Sequence, residues 1–449
     1  MIDDLSFIDV ICFVLLLIFF YMFVQRIRHK KIEKEPYYRY FILGMFVKVF
    51  SGIAVCLIYV FYYDGGDTIA YYHDNTVMVR LFLIKPLEAI KITFFQVNSQ
   101  QWFVFNDFTD WPSFFFDEHA FYVNKITWPL SLITFNSFIG QTMLLSFFSF
   151  FALWRLYKMF VAEFPTLQKE LAFAILFIPS VDFWGSGLLK DTITISAVAL
   201  FTSSFFQIIK LKKKYVFNIA LMMISAWMLI KIKPYILIAL LPGTLIWLVG
   251  YYLGKLKNHI IRSAITPFLM VVTILIAYLF LDNISSYLGK YTVNNVLEKA
   301  ADTQHDLKQE YYHGTSFDIG DFDPTIQAVA NKAPIAIISA LFRPFLWEVS
   351  NPAMLISGIE NFIILIFTVY LLIRLRIYNF FKLIFKNHLL FFCVSFSLFF
   401  AFSVGLSTSN FGSLVRYKIP AMPFFVASLL ITNYYYQLKK AERKRIKGM

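Results

Sequence analysis

The sequence predicts an all-α polytopic membrane protein with about eleven transmembrane helices. Three observations carry this. Hydrophobic residues make up 59% of the 449 and charged residues 15%, with a mean hydropathy of +0.65, outside the range of soluble globular chains. Apolar runs of about 20 residues, the length that crosses a bilayer as a helix, recur along the chain. Lysine and arginine concentrate in alternate connections between those runs.

The runs fall at residues 5–25, 40–62, 129–153, 171–187, 191–209, 215–233, 235–253, 263–281, 355–373, 389–406 and 419–437. The first begins in MIDDLSFIDV, which is acidic and lacks the basic start and small-residue cleavage site of a secretory signal, so it reads as a retained helix. The connections RIRHKKIEK, WRLYK with QKE, KLKKK, KLKNHIIR and RLRIYNFFKLIFKN, with the tail at 438–449, hold most of the 41 Lys+Arg and few of the 28 Asp+Glu. That bias assigns them to the cytoplasm, with the N-terminus outside, the C-terminus inside, and residues 1–449 forming one integral domain of the cytoplasmic (inner) membrane. The net charge of +13 is therefore topogenic, and its spread over short loops argues against a nucleic-acid partner. Cys12, Cys56 and Cys393 lie in apolar runs and show neither a disulfide framework nor a metal-binding spacing. No internal repeat is visible.

Two segments expected outside the membrane, 64–127 and 283–351, are longer than a connection needs. The first opens with DGGDTIAYYHD, three aspartates and a histidine directly after an apolar run. It continues into VRLFLIKPLEAIKITFF, where Arg80, Lys85, Glu88 and Lys91 among large apolar residues suit helices lying in the interface plane. The second contains the acid-rich EKAADTQHDLKQEYYHGTSFDIGDFDP, expected as a mobile loop.

An ionisable group inside a span costs about 2.5–3.5 kcal/mol on insertion scales, so charges at span ends are informative. Besides DGGDTIAYYHD they occur in FWGSGLLKDT, IKIKPY, LFRPFLWE and NFGSLVRYKIPAMPF, all turns expected on the outer face. Asp64, Asp67, His73 and Asp74 are thus expected to share an external vestibule with Lys190, Asp191, Lys231, Lys233, Arg343, Glu348, Arg416 and Lys418. Gly185, Gly187, Pro234, Pro344, Gly412 and Pro420 mark those turns as interrupted helices. A carboxylate beside Lys and Arg can act as a general base for a hydroxyl or bind a divalent cation, while the cations hold a phosphate. Asp67 with Asp64 leads as base or as ligands for Mg or Mn; Lys190, Arg343, Arg416 and Lys418 lead as phosphate ligands; Asp191, Lys231, Lys233, Glu348 and His73 are secondary.

Plainer alternatives stand beside each. Asp64 and Asp67 could be solvated turn acids, Lys190 and Asp191 a local pair at a helix start, Lys231 and Lys233 snorkelling side chains, and Arg343 with Glu348 a structural pair. Asp107, Asp110, Asp117, Glu118, His119, His305 and His313 have no spacing that names a metal site. Lys48 lies inside a span with no partner visible. No nucleotide-binding, zincin or serine-hydrolase motif occurs, so any donor should arrive already activated.

A multi-spanning chain whose first outer loop opens with an aspartate motif, here Asp64 and Asp67, and carries interfacial helices resembles the GT-C class of integral membrane glycosyltransferases. The closing NFGSLVRYKIPAMPF is similar to an Arg-Tyr, Pro and Pro-Phe pattern of bacterial repeat-unit polymerases. The resemblance implies polyprenyl-(pyro)phosphate-linked sugar substrates, Asp64 and Asp67 as the acid cluster, and Arg343 and Arg416 as phosphate ligands. The alternative is a transporter or lipid-glycan flippase, in which FWGSGLLKD and IKIKPY would form a midplane site and Asp191 or Lys48 would couple ions. A scaffold without chemistry is the third option.

Overall fold

The computed structural model describes residues 6–95, 98–212, 214–253, 301–304, 316–320 and 323–447, which group into two compact units. The first unit comprises Met1–Glu163, Leu176–Ile208 and Lys212–Lys233; the second comprises Phe164–Ile175, Ile209–Leu211 and Pro234–Met449. Among the described residues the only regular elements are helices, and eight are long and apolar enough to cross a membrane; a bent pair makes up to nine.

In the first unit α1 (Phe7–Lys31) starts with a capping box: Ser6 accepts from the Asp9 backbone N–H, and the Asp9 carboxylate accepts from Ser6 N–H. Asp9 is buried because its other oxygen accepts from Ser137 Oγ at 2.6 Å and Ile139 N at 3.1 Å, tying α1 to the head of α6. α2 (Phe41–Phe61) leads to α3 (Asp67–Ile84), α4 (Pro86–Phe94), α5 (Glu118–Ile133) and α6 (Phe138–Glu163). After α7 (Gln168–Leu176), nearly all of which belongs to the second unit, come α8 (Pro179–Trp184), α9 (Lys190–Phe206) and α10 (Tyr215–Ile232).

Burial sorts these helices into an inside and an outside. The apolar windows of α6 and of the span beginning at α9 are 78% and 72% buried, whereas those of α1 and α10 are 22% buried. Helices apolar on all sides yet mostly uncovered by protein are what a lipid-facing rim requires. Gly52 of α2 makes a close approach possible, since a Cβ there would collide with Ser146 of α6 and the Ser186 carbonyl.

The second unit holds α11 (Pro234–Leu253), α12 (Ile326–Phe342), α13 (Pro352–Leu375), α14 (Ile377–Lys386), α15 (His388–Ser407), α16 (Phe411–Tyr417) and α17 (Met422–Lys447). α15 is central and packs against α11, α12 and α17. Its Phe396 meets Phe400 at 5.7 Å, and Phe400 stacks on Tyr235 at 5.9 Å. α16 and α17 meet at 68° across a break containing Pro420, and α17 covers most of the last expected run, 419–437.

Two expectations change. The run 171–187 is not one span: the helix stops at Leu176 and restarts at Pro179, whose missing N–H and fixed φ suit a first helical turn and not an interior. The run expected at 129–153 starts as a span only at Phe138, because a turn carrying positive φ at Phe135 and Asn136 separates it from α5. The expected span 263–281 lies outside the described residues, as do His305, His313 and much of the segment 283–351. The first long segment does hold helices, α3 and α4, where interfacial ones were expected.

Candidate functional site

DGGD is a turn whose backbone needs its glycines. Asp64, Gly65 and Gly66 have φ of 47°, 148° and 104°, and a Cβ on Gly66 would press on the Tyr59 ring at 3.0 Å. The turn releases Asp67 as the first residue of α3, where a carboxylate complements the helix dipole. Asp64 is exposed and Asp67 half-buried.

The inward stripe of α3 contains Thr68, Tyr71, Asp74, Asn75, Met78 and Leu81. Asp74 is fully buried, and that is tolerable because it collects donors: Ser113 N at 2.6 Å, Phe114 N at 2.9 Å and His73 Nδ1 at 3.2 Å. The carboxylate thereby fastens the 110–115 loop to the helix. His73 Nε2 lies 3.1 Å from Asp110 Oδ2. Both partners of the ring are carboxylates, which accept, so the setting favours the doubly protonated imidazolium, in which both ring nitrogens donate. The hydrogen bond to Asp74 raises the His73 pKa above its ordinary value, with burial opposing. The hydrogen bond from His73, followed by the Trp111 N–H, holds Asp110 below the usual carboxylate range.

These groups open onto a cavity of about 580 Å³, lined among others by Gly66, Tyr72, His73, Arg80, Asp110 and Asn136. Arg80 is near enough to lower Asp110 electrostatically. Asn136 builds the far wall: its carbonyl accepts from Tyr72 Oη at 3.0 Å, and its Oδ1 accepts from Ser131 Oγ at 2.7 Å. Asp110 and Asn136 both have left-handed backbones, with φ of 64° and 60°. Strained residues of this kind gather where the surroundings over-determine them, commonly at sites with a task.

The other predicted residues divide between the two units. In the first, Lys190 pairs with Asp117 at 3.5 Å, Lys231 with Glu118 at 3.3 Å, and Lys233 with the buried Asp191. His119 Nδ1 lies 2.8 Å from the Lys231 carbonyl. Lys190 and Lys231 are thus held at the start of α5 by Asp117 and Glu118, acids to which sequence reasoning had given no role, and Lys233 is held by Asp191, which it had named as a secondary candidate. On α5 itself, Lys125 donates to the Phe95 carbonyl at 2.7 Å, and burial lowers its pKa to about 8. Lys48 has a partner after all: it lies 4.0 Å from Asp182 of α8 and donates to the Val181 carbonyl at 3.0 Å, both side chains buried.

In the second unit Arg343 Nε meets Glu348 at 3.2 Å, the structural pair weighed from sequence, and its guanidinium lies over the Phe317 and Phe345 rings. Lys418, 1% exposed, has Asn361 Oδ1 at 2.7 Å and the Arg343 and Leu341 carbonyls at 3.3 and 3.4 Å as acceptors. Its buried ammonium holds two backbone carbonyls and the Asn361 amide in place. Arg416 is half-buried in the last turn of α16. Among the described residues no group of three or more His, Cys, Asp or Glu is placed to hold a metal, at Asp64 and Asp67 or elsewhere.

Fold and site together define the class: an α-helical multi-pass membrane protein with a polar, cation-bearing cavity at one helix start. No family model, curated protein or solved structure matches the chain.

Proposed function

We propose that this chain is a membrane glycosyltransferase or glycan polymerase acting on polyprenyl-(pyro)phosphate-linked sugars at the external face of the cytoplasmic membrane of a bacterium. The observation that carries the reading is His73, held between Asp74 and Asp110 at the wall of a cavity that Arg80 also lines. An arginine and an imidazolium facing one space suit a phosphate, and the exposed carboxylate beside them suits a hydroxyl.

In the proposed step an acceptor hydroxyl attacks the anomeric carbon of the lipid-linked sugar. A new C–O bond forms, the bond from that carbon to the phosphate oxygen breaks, and the phosphate leaves with the electron pair. Asp110 takes the hydroxyl proton, while Arg80 and His73 stabilise the charge on the leaving group. Asp74 positions the imidazole, and Tyr72, which lines the cavity, offers a ring to sugar. Asp67, the base favoured from sequence, sets the first turn of α3, and Asp64 sets the turn before it. Arg343 and Arg416 are phosphate ligands on the resemblance alone, Lys190 on its charge at a helix start, and a divalent cation on the pairing of Asp64 with Asp67.

Lys48 inside a span, paired with the buried Asp182 of α8, favours a second reading, a transporter that couples ions there. Mass spectrometry of lipid-linked and surface glycans separates the two. An intermediate accumulating both in a deletion strain and with Asp110→Asn supports transfer at this site. Normal glycans with Asp110→Asn alone remove the site, and normal glycans in the deletion strain remove the enzyme and turn attention to flux through Lys48→Met.

A further inference from the structure

We infer that α14, with the corner that precedes it, is a docking face for anionic phospholipid, whose phosphate it takes through Arg374, Arg376 and Lys382. The helix has three faces. Phe380, Leu383 and Ile384 are buried, in a helix that packs against α13, α15 and α17. Ile377, Tyr378, Phe381 and Phe385 form an exposed apolar stripe, with Tyr378 72% and Phe385 63% exposed. Asn379 and Lys382, three residues apart and both exposed, form a polar stripe between them. A soluble amphipathic helix needs one apolar face, against its own core; a second, uncovered one fits the acyl boundary beneath a headgroup layer.

Charge identifies the headgroup. Arg374, Arg376 and Lys382 are exposed, and among the described residues no carboxylate pairs with any of them. The chain has no Asp or Glu between Glu360 and Glu442, so the local charge is matched by nothing nearby in sequence. Arg374 lies 5.6 Å over Tyr370 and Lys382 5.6 Å over Tyr378, contacts that hold the cations without neutralising them. The helix follows one candidate span, ending at Leu375, and precedes another, beginning at His388, which sets it at the bilayer edge where phosphates lie.

The test uses the full chain purified in neutral detergent, with phosphatidylglycerol or phosphatidylcholine added and the bound lipid counted by native mass spectrometry. The parent should retain phosphatidylglycerol preferentially at low salt, and the preference should fade as ionic strength rises. Arg374→Gln with Lys382→Gln should weaken the first phosphatidylglycerol bound about 25-fold, about fivefold for each charge removed. Arg374→Lys with Lys382→Arg should bind like the parent. Equal retention of both lipids by the parent, or unchanged binding in the neutralised variant, overturns the inference. Should the double variant not purify, Lys382→Gln alone decides: a fivefold loss supports the docking face, and no loss overturns it.

Discussion

The His73 cavity of the first unit and the Arg343–Lys418 corner of the second are both built from charged side chains and dispose them differently. At the corner the cationic heads are held by the fold: Lys418 by two carbonyls and an amide oxygen, and Arg343 through its Nε by Glu348 and over two rings, while its buried Nη1 has no hydrogen-bond partner. At the cavity Asp74 is held by two backbone N–H groups and the His73 ring is held between Asp74 and Asp110, while the exposed Arg80 lines the wall beside them. A charged residue at a broken helix is thus no indication of chemistry by itself. What separates the two regions is that the cavity sets an exposed cation, Arg80, at its wall, whereas the Lys418 ammonium is buried against its acceptors.

The largest expected effect sharpens that contrast on the cavity side. Asp110→Asn should cut transfer about a thousandfold while the protein still inserts and unfolds at the parent's temperature, measured by product formation and thermal melting. On the corner side the effect should fall on stability: Lys418→Met takes the ammonium from Asn361 Oδ1 and the Leu341 carbonyl, while the Arg343 carbonyl keeps Asn361 Nδ2 as a donor, and should cost about 2–3 kcal/mol, read by denaturation in detergent. Activity lost at position 418 with stability intact would break the contrast. A smaller effect is pH-dependent. Because the His73 pKa is raised on folding, its stabilising contribution is present below the ordinary histidine value of about 6.5 and is lost as pH rises through the higher folded value. The stability difference between the parent and His73→Gln should shrink toward alkaline pH, and a constant difference would remove the imidazolium. Smallest should be Lys231→Ala, whose partner Glu118 is half exposed, at about 0–1 kcal/mol by the same melting assay.

Hydropathy made most of the membrane helices legible, because a run such as 389–406 is apolar over a full bilayer thickness and needs no knowledge of neighbours. The break at 177–178 was harder to see: the composition stays apolar through it, and only Pro179 marks the stop. At the site, DGGDTIAYYHD stood out from sequence, yet emphasis fell on Asp64 and Asp67 at its start. Asp74 and His73 at its end depend on Asp110 and Ser113, nearly forty residues on, and a contact at that separation leaves no periodicity to read. Lys48 was conspicuous and Asp182 was not, since a lone aspartate between apolar residues next to a turn looks like an ordinary turn residue. The loop NDFTDWPS did carry a signal, because Asn, Asp, Thr and Pro at that density announce a fixed turn and not a linker.

The left-handed backbone at positions 110 and 136 governs which replacements there are interpretable. In a library saturating both positions, folded members should be dominated by Asn, Asp and Gly, since other side chains meet the following carbonyl at a cost of roughly 1–2 kcal/mol. Lengthening to Glu or truncating to Ala at 110 would therefore alter the chain path and the charge together, whereas Asn alters the charge alone. The alphabet tolerated at the cavity wall is narrower than its exposure suggests, and a survey scored only by loss of activity would mistake backbone intolerance for chemistry.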